Sequence, residues 1–147
     1  MSYKKFALIM FISFICMYGV MFLNIVELNH FYISATRIYM AILMVSVMAV
    51  VMILMMGKMY PDKKMNVGIV ITGIVIFTLT LAALRTQTPI GDIQYMKAMI
   101  PHHSSAIMTS ENADIKDPEV RKLADGIIES QKKEIAEMKA LLIKLNK

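Results

Sequence analysis

The chain has 147 residues and a single cysteine, Cys16. No disulfide can form within it, and everything after that position is without a thiol. Charge is missing from three long stretches, residues 6–26, 38–56 and 65–84. Each is long enough to cross about 30 Å of hydrocarbon as a helix. None alternates polar and apolar residues as a membrane barrel strand would. The first run is too long for the core of a signal peptide, and no small-x-small cleavage site follows it, so it reads as an uncleaved anchor. With no charge inside any span, a proton- or ion-coupled transporter has no relay. The chain also lacks internal repeats and low-complexity tracts.

What is present fits an integral membrane protein. Hydrophobic residues make up 57% of the chain, and its mean hydropathy is +0.58, more apolar surface than a soluble domain can use. The net charge is +5. The basic excess sits at span ends (Lys4, Lys5, Lys58, Lys63, Lys64), which is flanking charge and not a nucleic-acid footprint. The loop 27–37 carries only Arg37 against Glu27. The positive-inside rule then places the N-terminus and the 57–64 loop in the cytoplasm and everything after Leu84 outside it. The expected setting is a bacterial cytoplasmic (inner) membrane, crossed three times by a membrane domain of residues 1–84.

Residues 85–91, with Pro89 and Gly91, read as a linker in which Thr88 or Asp92 is placed to cap the next helix. A helix over 92–112 follows, with Pro101 inside it as a source of a kink. Residues 113–117 are a turn. Asp117-Pro118-Glu119 is a strong helix start, with a cap, proline at the first position and an acid in the first turn. The fold class expected is therefore all-α: three transmembrane helices, then an extracytoplasmic two-helix hairpin over 92–147. Such a hairpin is small for an independent core, and pairing two of them into a four-helix bundle would cover its apolar face, so a homodimer is expected.

On a helical wheel at roughly 100° per residue, Asp92, Met96, Met99, His102 and His103 share one arc of about 120°. On the last helix Val120, Leu123, Ile127, Ile135, Met138, Leu142 and Leu145 form an apolar stripe, with Gln131 and Glu134 inside it. Buried polar groups need partners, and the His/Met face of the other helix supplies them. Thioether plus imidazole without thiolate suits Cu(I) or Ag(I) better than zinc, while the carboxylates of Asp92 and Glu134 admit other transition metals. The plainer reading is that the methionines fill a core.

Two segments carry a resemblance. Asp92-Ile-Gln-Tyr-Met-Lys-Ala-Met-Ile-Pro-His-His-Ser-Ser-Ala-Ile107 and Leu123-Ala-Asp-Gly-Ile-Ile-Glu-Ser-Gln-Lys-Lys-Glu-Ile-Ala-Glu-Met138 resemble the signature of the domain-of-unknown-function 305 family, over about residues 90–145. That resemblance implies a ferritin-like helical fold in the bacterial envelope, with copper binding or copper resistance. Carried over, it implies Met96, Met99, His102, His103 and Met138 as metal ligands, with Asp92 and Glu134 in a second tier. Larger members build four helices in one chain, whereas this chain offers two.

Sixteen methionines are many for this length. Met40, Met44, Met48 and Met52 recur every four residues in the second span, and Met10, Met17 and Met21 lie in the first. A ladder passing Cu(I) is one reading; flexible apolar filler is the plainer one. Nucleophilic catalysis lacks parts, since Ser104 and Ser105 fall away from His103 on the wheel and no oxyanion hole is marked. A di-iron enzyme would need Glu-x-x-His pairs, which are missing. The expectation is a non-enzymatic, membrane-anchored Cu(I)-binding protein for copper sequestration or tolerance, in contact with the lipid bilayer and with an envelope metal-handling partner. The alternative is a structural or interaction module that dimerises or docks to an envelope partner.

Overall fold

A computed structural model describes residues 2–145, and all regular structure among them is helical. Five α-helices occur: α1 (Tyr3–Val20), α2 (Ala35–Met56), α3 (Lys63–Thr86), α4 (Asp92–Asn112) and α5 (Pro118–Leu145). Short 3-10 turns cover Leu28–His30 and Gly57–Met59. The helix starts follow local chemistry. The Ser2 hydroxyl accepts from Lys4 N–H at the head of α1. Asp62 Oδ1 accepts from the N–H groups of Lys64 and Met65 at the head of α3. Asp117 Oδ1 does the same for Glu119 and Val120 at the head of α5, at 2.8 and 3.0 Å. At α4 the expected side-chain cap is missing: Gly91 occupies the cap position, with no side-chain bond. Helix α4 runs unbroken through Pro101. Helix α3 continues to Thr86, past the expected linker start, and ends with Gln87 in the left-handed region at φ 52°.

The chain divides into two compact units. The first comprises residues 1–21 and 36–89, the second residues 22–35 and 90–147. In the first, α1, α2 and α3 are long and apolar enough to cross a membrane. Their apolar residues are largely uncovered by protein; Phe11, Leu54 and Leu79 are each about two-thirds exposed. Such helices could span a membrane, where an exposed apolar side chain costs nothing.

Within that unit, one end is held by aromatic and polar contacts. Tyr60 is fully buried, with Phe6 edge-on at 5.8 Å and Tyr3 tilted at 5.4 Å. The Tyr3 hydroxyl lies 2.9 Å from Asn66 Oδ1 and 3.1 Å from the carbonyl of Asp62. The start of α1 therefore meets the start of α3, and Lys4, Lys5, Lys58, Lys63 and Lys64 belong to one end of the unit.

The first helix differs from the uncharged run that suggested it. It ends at Val20, not Val26. Hydropathy alone cannot see this, because Phe22, Leu23, Ile25 and Val26 extend the apolar run, yet Phe22 is buried, its ring 4.1 Å from that of Phe31, inside the second unit. Residues 22–35, which the sequence suggests as the end of the first span and most of the 27–37 loop, are part of that unit.

Helices α2 and α3 approach closely at Gly73. A Cβ there would meet Val50 Cγ2 at 2.7 Å and the Ser46 carbonyl oxygen at 3.4 Å. Valine is stiff at χ1 and has little room to yield. Gly73→Ala is expected to destabilise the protein by about 1–3 kcal/mol, and Val50→Ala in the same chain to recover most of that loss. Unfolding of the purified protein in detergent, followed for both single variants and the double variant, measures the coupling.

Candidate functional site

The second unit is built on α4 and α5, which pack along each other. Arg121 of α5 donates to the Ser110 carbonyl near the end of α4, and Lys132 pairs with Glu111 at 3.0 Å. Met96, Ile100 and Ile107 of α4 form one buried cluster with Ile135 and Leu142 of α5; Met138, Ile128, Ile93 and Tyr32 pack against it.

The buried face of α4 is not the one the wheel suggested. Met96, Ile100, Pro101, His103, Ser104 and Ile107 are buried. His102, Tyr95 and Asp92 are exposed. The face is rotated away from Met99 because α4 has two partners, with the segment 22–35 covering a second side. Asn24 Nδ2 donates to Ser105 Oγ at 2.7 Å, Val26 N–H to Ser104 Oγ at 2.8 Å, and Ala35 N–H to Gln94 Oε1 at 3.0 Å. On α5 the stripe is likewise shifted: Ala124, Ile135 and Leu142 are buried, while Val120, Leu123 and Ile127 face solvent.

Of the sequence candidates, the structure brings together His103 and Glu134, and it sets Met96 and Met138 in one cluster. His103 is 6% exposed. Its Nδ1 lies 3.0 Å from the carbonyl oxygen of Met99, one turn back on the same helix. That oxygen can only accept, so Nδ1 carries the hydrogen. Nε2 points across to Glu134 Oε2 at 2.7 Å. The other carboxylate oxygen accepts from Ser130 Oγ at 2.7 Å. These two hydrogen bonds, Ser130 first and His103 second, hold the Glu134 carboxyl below its ordinary value of 4.5. Met99 is half-buried. The His102 ring is turned away from His103, centroids 6.0 Å apart at 64°. Gln131 Oε1 is buried without a hydrogen-bond partner.

Sequence reasoning missed His30. It is 5% exposed, and its Nδ1 lies 2.9 Å from Ser104 Oγ. Ser104 accepts the Val26 N–H, which leaves its own hydroxyl hydrogen for His30. Burial lowers the His30 pKa, Lys139 lowers it further, and Glu27 at 3.8 Å opposes both. Lys139 in turn donates to Asn29 Oδ1 at 2.7 Å. The one signal available was the polar run Asn24, Glu27, Asn29 and His30 in a loop that needed no such groups to join two spans.

Residues 75–142 match the family described as "Domain of unknown function (DUF305)". A mimivirus protein, "Uncharacterized protein L153" of Acanthamoeba polyphaga mimivirus, is 42% identical over 106 residues, 71% of this chain and 68% of that protein. The chain belongs to the DUF305 family. No solved structure matches it. The DUF305 match begins inside α3 and ends in α5, so it takes in His103, Glu134, Met96 and Met138 but not His30. Among the described residues no group of three or more His, Cys, Asp or Glu is placed to hold a metal ion.

Two predictions follow from these contacts. His103→Ala is expected to destabilise the protein by roughly 1–3 kcal/mol, because a buried ring and its bonds to two elements are lost, whereas exposed His102→Ala stays within about 0.5 kcal/mol of the parent. The pH dependence is set by His30. A lowered pKa means the neutral form is the one folding favours, so its contribution is complete above 6.5, the ordinary value, and is lost as pH falls through the lowered value. Glu134, also lowered, adds a second loss below 4.5. Unfolding midpoints measured from neutral to acid pH should fall in both ranges, and His30→Gln should remove the first decline alone.

Proposed function

We propose that this chain is a membrane-anchored binding protein for a soft monovalent metal, Cu(I) first, and that it serves in sequestration or tolerance and not in catalysis. The observation that carries the reading is the hydrogen bond from His103 Nδ1 to the Met99 carbonyl. A metal-binding histidine characteristically gives its second ring N–H to a carbonyl or carboxylate, which fixes the tautomer and the ring. With hydrogen on Nδ1, the ion would take Nε2, which faces α5, in place of the hydrogen that Nε2 gives Glu134. Glu134 is there, and Met138 stands one turn further along α5. Met96 lies two turns back from His103 on α4, in the same buried cluster as the residues Met138 packs against.

The donor types fit the metal. The second unit has no thiol, since Cys16 belongs to the first. Two or three thioethers with one imidazole match Cu(I) or Ag(I) and are a poor set for zinc or for a carboxylate-bridged iron pair. Met96, Met99, His103 and Met138 would hold the ion. Glu134 would hold the ring when no ion does, and His102 and Asp92 would stay in solvent. The metal would supply no chemistry beyond its own retention.

The same reading covers the surroundings. The lysine-bearing end of the first unit is cytosolic by the positive-inside rule, and the α4–α5 pair is an extracytoplasmic hairpin equivalent to half of a ferritin-like bundle. A second copy would complete the bundle over the solvent-facing Val120, Leu123 and Ile127.

Competition for Cu(I) between the detergent-solubilised full chain and a colorimetric chelator tests the proposal. His103→Gln should weaken binding by about 10–100-fold and Met96→Leu/Met138→Leu by a similar factor, with His102→Gln close to the parent. Equal affinities in all four proteins would overturn it.

A further inference from the structure

Four sulfur-bearing side chains of the first unit line one cavity, and none belongs to the His103 cluster. A cavity of about 280 Å³ is lined by Cys16, Met17, Val20, Met21 and Met44, all within the first unit. Met17 and Met21 are four apart and share one row of α1 and its C-cap; Cys16 and Val20 form the neighbouring row. Met44 comes from α2. The two helices are tied at this level by the Arg37 guanidinium of α2, which donates to the Met21 carbonyl. Cys16 is exposed and Met17 and Met21 are half-buried, so the thiol opens on the cavity and the thioethers form part of its wall.

We infer that this cavity is a second soft-metal site, for a monovalent d¹⁰ ion such as Cu(I) or Ag(I), with Cys16 as the thiolate ligand and Met17, Met21 and Met44 as thioether ligands. Composition supplies the first argument. Apart from Val20, every residue lining the cavity ends in or carries sulfur, and none offers an oxygen or imidazole side-chain donor. Hard cations find nothing there. Charge supplies the second. A divalent ion with one thiolate leaves a net charge in hydrocarbon, which is costly. A monovalent ion with one thiolate is neutral. On binding, the Cys16 S–H bond is replaced by an S–metal bond, the proton passes to water, and the metal keeps its oxidation state.

The position adds to this. Cys16 lies one turn from the end of α1 at Val20. The site is therefore near the end of its span and within reach of water for ion and proton. It shares no residue with the His103 cluster and does not depend on it.

The test uses the full chain in detergent micelles, with Ag(I) as a redox-inert probe. Cys16 is the sole cysteine, so maleimide labelling reads this site alone. About one equivalent of Ag(I) should block labelling both in the parent and in Met96→Leu/His103→Gln, since neither change touches the cavity. In Met17→Leu/Met21→Leu/Met44→Leu the volume is conserved and labelling without metal should match the parent, but protection should need about tenfold more Ag(I) or more. Protection of that triple variant at the parent's Ag(I) concentration would overturn the inference, because it would show a bare thiol binding unaided. X-ray absorption of the Met96→Leu/His103→Gln protein loaded with Cu(I) gives an independent readout: two or more sulfur neighbours per copper support the site, and a single sulfur sinks it.

Discussion

The second unit turns on one hydroxyl. Ser104 has no exposed surface, and its oxygen receives the Val26 N–H while facing His30 Nδ1 at 2.9 Å. A buried hydroxyl without partners would cost on the order of 1–3 kcal/mol, so this position requires the segment 22–35 to lie against α4. That contact then decides which face of α4 is inside. With Ser104 bonded to the segment and Met96, Ile100, His103 and Ile107 turned toward α5, His102 is left in solvent. Two adjacent histidines, chemically equal in the sequence, are thus made unequal by a serine next to them.

The membrane unit obeys a different constraint. Its helices leave much of their apolar surface uncovered by protein, and the specific contacts are local: Tyr60 between Phe6 and Tyr3 at one end, Gly73 against Val50 along the helices, and Arg37 on Met21 near the other end. Hydropathy detects such helices easily and places their ends poorly, because an apolar residue beyond the span looks the same whether lipid or protein covers it. Phe22 is the case in point.

What was legible in the sequence follows the same division. The limits of α4 and the start of α5 could be read residue by residue, because Asp117 and Pro118 act through bonds to the next few backbone groups. The partner of Glu134 could be anticipated, because a carboxylate in an apolar stripe needs a donor and the histidines were the nearest candidates. The faces of α4 and α5 could not. A wheel assigns the inside from the residues of one helix, and here part of the inside was made by a loop more than sixty positions earlier in the chain. His30 was invisible for the same reason: nothing near it in sequence says that a loop between two spans will be buried in another unit.

The contrast between the two buried histidines bears on the function. His30 is buried, with Ser104 2.9 Å from one ring nitrogen and Glu27 3.8 Å from the other. Its ring is a structural brace. His103 is fixed differently. The bond to the Met99 carbonyl is internal to α4 and can be lost only if the ring leaves its rotamer, whereas the Glu134 side chain is 47% exposed and can turn into water with Ser130 still attached. Solvent screening keeps that pair weak. The ring is therefore rigid in direction and free to exchange its partner on Nε2. A histidine that only braced a core would gain by locking both nitrogens. On the proposed reading, a ring that must accept a ligand gains by a fixed bond on the nitrogen that aims the other and an exposed, exchangeable partner on the second, as at His103.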